Sequence, residues 1–245
     1  MSAAARLDRL LANLGYGSRR EVQALIAAGQ VTLDGAPARD GGAKIALAPD
    51  LAGRIAVRGA PLDPPAPFTL VMNKPLGIVC SHREAGRSLY DLLPARWRAR
   101  VPALSSVGRL DKETSGLLLI TDDGDLLHRI ISPRRHIAKR YRVVLDGPMA
   151  GREAALFAAG TLVLDGAPLA PAKLEVVSPT QGLLTLTEGR HHQVRRMFSA
   201  VGLEVIALHR EAIGALDLPA DLAPGACRPI TAEELAAVFA PVEPQ

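Results

Sequence analysis

Short strand-like runs fill most of the chain after Phe68 and constrain its fold more than any other feature. They are rich in aliphatic residues, are bounded by turn-forming residues, and read TLVMNKP, GLLLIT, RYRVVLDG, AKLEVVS, GLLTLTEG and EVIALHREAIGALDL. Helical patterns interrupt them near Leu89–Arg98, near Gly151–Ala159 and over His191–Val201, and a last helix begins at the capping box Thr231–Glu234. Because the strands follow one another in hairpins instead of alternating regularly with helices, the sequence predicts an α+β domain.

The first fifty residues predict a small separate unit. An apolar face recurs at helical spacing in Leu7, Leu10, Leu11 and Leu14. Ser18 and Glu21 form a capping box for a second helix, which is expected to end at Gly29. The segment VTLDGAPAR then reads as a strand, an Asp-Gly turn and a strand. We therefore place one domain at residues 6–50.

A Pro-rich segment follows this unit. Residues 51–67 contain the run DPPAP, which is typical of a stiff, extended linker. The sequence thus predicts a linker over 51–67 and a second, larger domain over 68–239. With 245 residues and 48% hydrophobic content, the chain has enough apolar side chains for two cores.

The positive charge of the chain is carried almost entirely by Arg. The formal net charge is +4, the pI is about 9.4, and only five of the 29 basic residues are Lys. Arg suits phosphates and base edges, although a coding bias toward Ala and Arg would give the same composition. Arg19 and Arg20 lie in the first turn of a helix, where they oppose the helix dipole, so we interpret them as RNA contacts.

Several classes of protein are disfavoured by what the sequence lacks. No window approaches 18 consecutive apolar residues, the N-terminus has no signal-peptide pattern, and the two cysteines form no framework, so a cytoplasmic protein is expected. No Gly-rich nucleotide motif is present. His191 and His192 are adjacent, which does not give the i, i+4 spacing of a metal pair. An enzyme with this sequence would use side chains alone.

Three segments carry candidate chemistry. A lone carboxylate, Asp111, lies in the polar loop of SSVGRLDKETSGLLLITDDG, just before an apolar strand. In HHQVRRMFSAVG, the buried stripe leaves His192, Arg195 and Arg196 on flanking or opposite faces. In KRYRVVL, alternation places Tyr141 on the face of Val143 and Leu145, where it is either a core residue or a stacking platform for a base.

These three segments and a fourth, NKPLGIVCS, together resemble a known family. GRLDKETSGLLLITDDG, KRYRV, EGRHHQVRRMF and NKPLGIVCS are similar to the motifs of RsuA/RluA-type pseudouridine synthases, and residues 6–35 resemble an S4 RNA-binding domain. The resemblance extends over residues 6–239 in the family's order. HRIISPRRH, LHREAIG and DLAPGACRPIT are most similar to the RsuA subgroup, which modifies small-subunit (16S) rRNA.

The resemblance implies a mixed, mainly antiparallel central sheet and an isomerase without cofactor or metal. The reaction breaks the N1–C1′ bond of a uridine, turns the base and rejoins it through C5. Asp111 matches the catalytic carboxylate, acting either as a nucleophile at C1′ or as a base at C2′. Arg195 matches its cationic partner, Tyr141 the residue that stacks on uracil, and Arg109 the residue that fills the place of the extruded nucleotide. Further RNA contacts are expected from Lys74, Arg190, His192 and Arg196.

Other functions remain open at this point. The target could be large-subunit (23S) rRNA, as in sister subgroups that share the architecture. The chain could also be a catalytically silent RNA-binding assembly factor, or a hydrolase that reuses the fold. The expected partner is 16S rRNA, either naked or in a small-subunit assembly intermediate, and the expected state is a monomer.

Overall fold

A computed structural model describes residues 4–81 and 84–241, and the chain divides into two compact units. The first contains residues 4–69, 93–105 and 121–123, and the second contains the rest of the described chain. The elements of the first unit are β1 (Ala4–Arg6), α1 (Leu7–Asn13), α2 (Arg19–Ala27), β2 (Val31–Leu33), β3 (Ala36–Pro37), β4 (Lys44–Ala46), α3 (Leu51–Arg54), β5 (Ile55–Val57), β6 (Ala60–Pro61) and α4 (Ala95–Arg98).

The predicted helices and hairpin of the first unit are present. Ser18 and Glu21 form both hydrogen bonds of the capping box at the start of α2. The turn between β2 and β3 is Asp34–Gly35, and both residues have the positive φ that a two-residue hairpin turn requires. The four Leu residues of the predicted face, Leu7, Leu10, Leu11 and Leu14, are all buried in one core.

The segment predicted as a linker differs from that prediction over most of its length. Residues 51–61 form α3, β5 and β6, and β5 pairs with β2 in a four-stranded sheet. Leu51, Ile55 and Val57 are buried in the core of the first unit. The prediction gave weight to the prolines and missed the alternation of Ile55 and Val57 before the Arg58–Gly59 turn, which has positive φ at both residues.

The remaining elements are β7 (Thr69–Lys74), β8 (Ser105–Ser106), β9 (Ser115–Thr121), α5 (Gly124–Ile131), β10 (Lys139–Leu145), α6 (Glu153–Ala158), β11 (Val163–Leu164), β12 (Ala167–Pro168), β13 (Lys173–Ser178), β14 (Gln181–Leu186), α7 (Gln193–Ser199), β15 (Val205–Ile213), β16 (Leu216–Asp217), β17 (Cys227–Pro229) and α8 (Ala232–Ala237). Two 3-10 helices span Leu89–Leu92 and Pro133–Arg135. A nine-stranded sheet has the order β13-β14-β10-β15-β9-β7-β17, with β16 on β15 and β8 on β9.

This sheet is mixed and mainly antiparallel, as predicted. The pair β15–β9 is parallel, and β10 lies antiparallel to both β14 and β15. Val143 and Leu145 are buried with α6 and α7 against one part of the sheet, which confirms the alternation read in β10. Helix α5 was not predicted, because the preceding TDDG reads as a turn, although Leu126 and Ile130 form a buried i, i+4 pair.

Lys74 is completely buried at the end of β7 and holds a loop in place. Its ammonium group donates to the carbonyl oxygens of Pro75 at 3.2 Å, Asp111 at 3.0 Å and Thr114 at 2.8 Å. All three protons of the ammonium are therefore directed at backbone. Lys74 was predicted to contact RNA phosphate, and this prediction is wrong, because neither its surface nor its donors are available.

A second buried charge stabilises the first unit. The carboxylate of Asp8 has no exposed surface and accepts hydrogen bonds from Arg6 at 2.9 and 3.2 Å, from Arg19 at 2.9 Å and from Gln23 at 3.2 Å. The hydrogen bonds from Arg6, helped by those from Arg19 and Gln23, hold the pKa of Asp8 well below its usual range, against the effect of burial. Arg19 thus has a structural partner that offsets its unfavourable place in the first turn of α2.

Replacing Lys74 by Met is expected to lower the free energy of unfolding by roughly 2–4 kcal/mol, since it leaves buried carbonyl oxygens without donors. The urea midpoint at pH 7 measures this change. Lys112→Met, an exposed lysine in the same loop, is the matched control and should leave the midpoint unchanged. Equal midpoints for wild type and Lys74→Met would contradict the structural role of Lys74.

The stability contributed by Asp8 should depend on pH. Because its folded pKa lies below the unfolded value of about 3.9, the contribution is complete above that value and is lost as the pH falls through the folded pKa. Asp8→Asn should therefore have a lower urea midpoint than wild type at pH 7, and the two midpoints should converge below about pH 4. Asp50→Asn, at an exposed position without a capping hydrogen bond, is the control and should have the wild-type midpoint at each pH. A pH-independent difference for Asp8→Asn would refute this assignment.

Candidate active site

A cavity of about 360 Å³ lies in the second unit and collects most of the predicted site residues. Its volume falls in the range of ligand pockets. Three segments form the wall: the loop over 108–114, strand β10, and the turn that leads into α7. The lining residues used below are Arg109, Asp111, Tyr141, Arg190, His192 and Arg195.

The loop that carries Asp111 is fixed through its backbone. Besides the two bonds from Lys74, the amide of Thr114 donates to the Asp111 carbonyl at 3.0 Å, and the amide of Gly77 donates to the Lys112 carbonyl at 2.9 Å. The thiol of Cys80 donates to the Leu110 carbonyl at 3.3 Å. The backbone of Asp111 is thereby held while its carboxylate, about one-third exposed, faces the cavity.

The strand that follows this loop requires a glycine. Gly116 has φ of +108°, and a Cβ there would lie 2.2 Å from the carbonyl oxygen of Arg210 on β15. The parallel pairing of β9 with β15 through Gly116 and Arg210 thus depends on the missing side chain. The hydroxyl of Ser115 and Nδ1 of His209 are 2.8 Å apart and join the same two strands.

Arg195 supports the loop from the other side but does not form the predicted ion pair. Its guanidinium donates to the carbonyl oxygens of Glu113 at 2.8 Å and Val205 at 2.5 Å. In the described chain no ion pair joins Arg195 to Asp111. The physical reason is that two backbone acceptors already occupy the guanidinium, which positions the loop instead of its carboxylate.

His192 is the basic side chain that approaches Asp111. Its Nε2 lies 3.5 Å from Oδ1 of Asp111. His192 caps α7 in a left-handed conformation with φ of 51°, and its ring stacks on that of His191 at 3.9 Å. This unusual backbone directs the imidazole to the carboxylate, a contact that helical spacing does not reveal.

Tyr141 lines the cavity and also packs against the core. It is half-buried on β10, and Arg210 is its partner across β15. The guanidinium carbon of Arg210 lies 6.0 Å from the ring centroid. The two sequence readings of Tyr141, core residue and stacking platform, are thus both compatible with its position.

The other arginines predicted to contact RNA differ in how many acceptors of the protein they already bind. Arg190 donates to the carbonyl oxygens of residues 164, 167 and 168 around the β11–β12 hairpin. Arg196 forms a bidentate pair with Asp165 in the same hairpin, at 2.7 and 2.8 Å. Arg109 is largely exposed and pairs with Glu84. Its three backbone acceptors leave Arg190 little capacity for phosphate. Arg109 is held by one exposed pair, and Arg196 by the pair with Asp165 and a hydrogen bond to the His191 carbonyl.

Two basic residues near the cavity were missed by the sequence reasoning. Lys139 lies two positions before Tyr141 on the same face of β10, and Arg210 lies opposite Tyr141 on β15. Alternation in KRYRV was a signal for Lys139, but only the cations adjacent to Tyr141 were considered. The signal for Arg210 is weaker, because LHREAIG reads as an ordinary strand.

The described residues contain no group of three side chains suited to a metal ion, and no helix long and apolar enough to cross a bilayer. The chemistry available at this cavity comes from a carboxylate, an imidazole, a phenol and several cations. That set suits acid–base or nucleophilic chemistry on a polar substrate.

Comparisons with known proteins identify the family. Residues 69–200 match the family model "RNA pseudouridylate synthase", and residues 5–46 match the S4 domain model. The chain is 44% identical to "Ribosomal small subunit pseudouridine synthase A" of Escherichia coli (strain K12), over 95% of this chain and 99% of the relative. It is 42% identical to "Uncharacterized RNA pseudouridine synthase YtzG" of Bacillus subtilis, over 94% and 96% of the two chains.

A solved structure supports the same assignment. "Crystal structure of pseudouridylate synthase" shares 34% identity and a TM-score of 0.66, covering 95% of this chain and 99% of that one. Both family models match in the order seen here, with the S4 domain first and the synthase domain around the Asp111 cavity. The chain therefore belongs to the RNA pseudouridylate synthase family and carries an S4 domain in residues 5–46.

Proposed function

We propose that this enzyme converts a specific uridine of small-subunit (16S) rRNA into pseudouridine, with Asp111 as the catalytic carboxylate. The observation that carries the proposal is the placement of Asp111 and Tyr141 on one cavity, with the Asp111 loop clamped through its backbone. The target is supported by the name of the Escherichia coli relative, which is similar over nearly the whole of both chains. We take the acting species to be a monomer that needs no cofactor, on rRNA alone or in an assembly intermediate.

The site residues divide the work of the reaction. Asp111 attacks C1′ or removes the proton from C2′, and in either role the N1–C1′ bond breaks and the base turns before C5 joins C1′. Tyr141 supplies the ring on which the extruded uracil stacks. Lys74 and Arg195 hold the loop without touching the carboxylate, so both carboxylate oxygens remain available to the substrate and to His192.

The first unit supplies RNA affinity in this proposal. Arg20 is exposed on α2 and has no hydrogen bond or ion pair within the described chain, whereas Arg19 is bound to Asp8. The two adjacent arginines therefore have different roles, although the sequence treats them alike. Arg20 is the phosphate contact, and Arg19 chiefly stabilises the domain.

Asp111→Asn should bind rRNA with an affinity within twofold of wild type but lose at least about 10⁴-fold in the rate of pseudouridine formation. The side chain keeps its size, yet the amide is neither a nucleophile nor a base. The measurement is pseudouridine formed on transcripts of small- and large-subunit rRNA under single-turnover conditions. Asp125→Asn, an exposed acid at the start of α5, should react at the wild-type rate. Product from Asp111→Asn at a rate comparable to wild type would exclude Asp111 as the catalytic residue. Product of the wild-type enzyme only on the large-subunit transcript would identify large-subunit rRNA as the target.

Arg20→Ala should weaken RNA binding and flatten its dependence on salt, because each phosphate contact on single-stranded RNA contributes roughly 0.7 to the slope of log K against log salt. Arg20→Lys keeps the charge and should retain the slope. The thermal midpoint of Arg20→Ala should equal that of wild type, since its side chain has no partner within the described chain. An unchanged slope for Arg20→Ala would show that Arg20 does not contact an RNA phosphate.

A further inference from the structure

A second cavity of about 160 Å³ shares a wall with the Asp111 cavity. Gly108, Arg109, Tyr141 and Gly189 line both of them. The smaller cavity is lined in addition by two cations, Lys139 and Arg210, which the reaction described above does not use. Tyr141 thus lines both the cavity that holds Asp111 and the cavity that holds the two cations.

Arg210 has donor capacity that the protein itself does not use. The residue is only 4% exposed. Its Nε donates to the Leu117 carbonyl at 2.8 Å, but its Nη2 is buried and has no hydrogen-bond partner among the described residues. Buried polar groups in folded proteins almost always have partners, and Arg210 lines the smaller cavity, so its unpartnered Nη2 indicates an acceptor supplied from outside.

Lys139 is in the same situation. Within the described chain its ammonium has no hydrogen bond or ion pair, and it lines the same cavity. Burial, together with the nearby charge of Arg210, lowers the pKa of Lys139 to about 8. The two cations therefore repel each other in a site whose walls desolvate them, which is unfavourable unless a ligand carries negative charge between them.

No carboxylate on the described wall of this cavity is free to neutralise the pair. Arg109 pairs with Glu84. Glu188 accepts hydrogen bonds from the Ala170 amide and the Gln193 side chain through Oε1, and its Oε2 lies 3.5 Å from Nε of Arg190. The positive charge of Lys139 and Arg210 is accordingly directed at the cavity.

Strand geometry places the pair next to the base-binding surface. Lys139 and Tyr141 are two residues apart on β10 and share a face of the sheet, while Arg210 is the cross-strand partner of Tyr141. A shift of register between Arg140 and Tyr141 adds one residue to β15 and keeps Arg210 beside the Tyr141 ring. Lys139 and Arg210 are thus neighbours of the ring on which the base is expected to stack.

We propose that Lys139 and Arg210 bind a carbonyl oxygen of the uracil that stacks on Tyr141 and stabilise the negative charge of the base while it is detached from the ribose. This inference rests on the proposed function and adds to it the group that makes uracil a better leaving group. Both residues act on the reacting base itself. They are therefore catalytic residues in addition to Asp111.

The electron balance of the reaction calls for such a group. When the N1–C1′ bond breaks, its electron pair stays on the uracil and is spread over N1 and the O2 and O4 carbonyl oxygens. C1′ is either bonded to the Asp111 oxygen or left in a double bond to C2′ after Asp111 removes the C2′ proton. After the base turns, C5 forms the bond to C1′, and the Asp111 oxygen leaves or the C2′ proton returns. The C5 proton then passes to solvent and N1 takes up a proton, which gives neutral pseudouridine. Fixed positive charge at the carbonyl oxygens is most useful while the base is anionic.

Lys139→Met tests the proposal, because a catalytic role predicts a slower reaction with unchanged RNA affinity. The single-turnover rate constant for pseudouridine formation should fall about 10²-fold, as for the loss of one donor to a developing anion, while the Kd for RNA stays within twofold. Lys173→Met, an exposed lysine of β13 in the same sheet, is the matched control and should leave both values unchanged. An unchanged rate for Lys139→Met would overturn the proposal. A weaker Kd with an unchanged rate would also overturn it, because that result identifies a phosphate contact.

The dependence of the rate on pH gives a second, independent test. The wild-type rate should decline above about pH 8, as Lys139 loses its proton. Lys139→Arg keeps the charge, should retain at least about a tenth of the rate, and should move the decline above pH 9. The same decline in both proteins would refute the role of Lys139. Wild type that forms no pseudouridine on either rRNA would instead refute the proposed function, and this inference with it.

Discussion

A buried ammonium group holds together the loop on which the whole site depends. The ammonium of Lys74 donates three hydrogen bonds to backbone carbonyl oxygens, and one of these oxygens belongs to Asp111. Burial, together with the charge of Arg210, lowers the pKa of Lys74, and the nearby acidic groups of Cys80, Asp111 and Glu113 oppose that effect. Arg195, on α7, donates a hydrogen bond to the Glu113 carbonyl oxygen in the same loop. Because both cations bind backbone, the loop is held in place while the Asp111 carboxylate remains open to the cavity.

The basic residues around the cavity thus fall into two groups. Lys74, Arg190 and Arg195 donate to carbonyl oxygens of the protein and position loops or hairpins. Lys139 and Arg210 keep donors that no described residue accepts, and they line the smaller cavity, which shares Tyr141 with the cavity of Asp111. The carboxylate and the free cations therefore both neighbour the ring on which the base is proposed to stack. Such an arrangement separates the group that reacts at the ribose from the groups that stabilise the departing base.

The sequence predicted the elements whose signals are local and missed those that depend on tertiary partners. Alternation located β10, and helical spacing located α7 with its buried Val194 and Met197. The motif resemblance located the Asp111 loop and the family. It could not show that Lys74 is buried, since a lysine that ends a strand looks exposed until the carbonyl oxygens of a distant loop surround it. The pairing of Arg195 with Glu113, 82 positions away, was equally invisible.

The most direct test of the central claim is a map of pseudouridines in rRNA from cells that lack this protein, complemented with wild type or with Asp111→Asn. We expect one uridine of the small-subunit rRNA to lose its modification and to regain it only with wild type. Restoration by Asp111→Asn would contradict the role of the carboxylate, and a complete map with no lost site would contradict the proposed function.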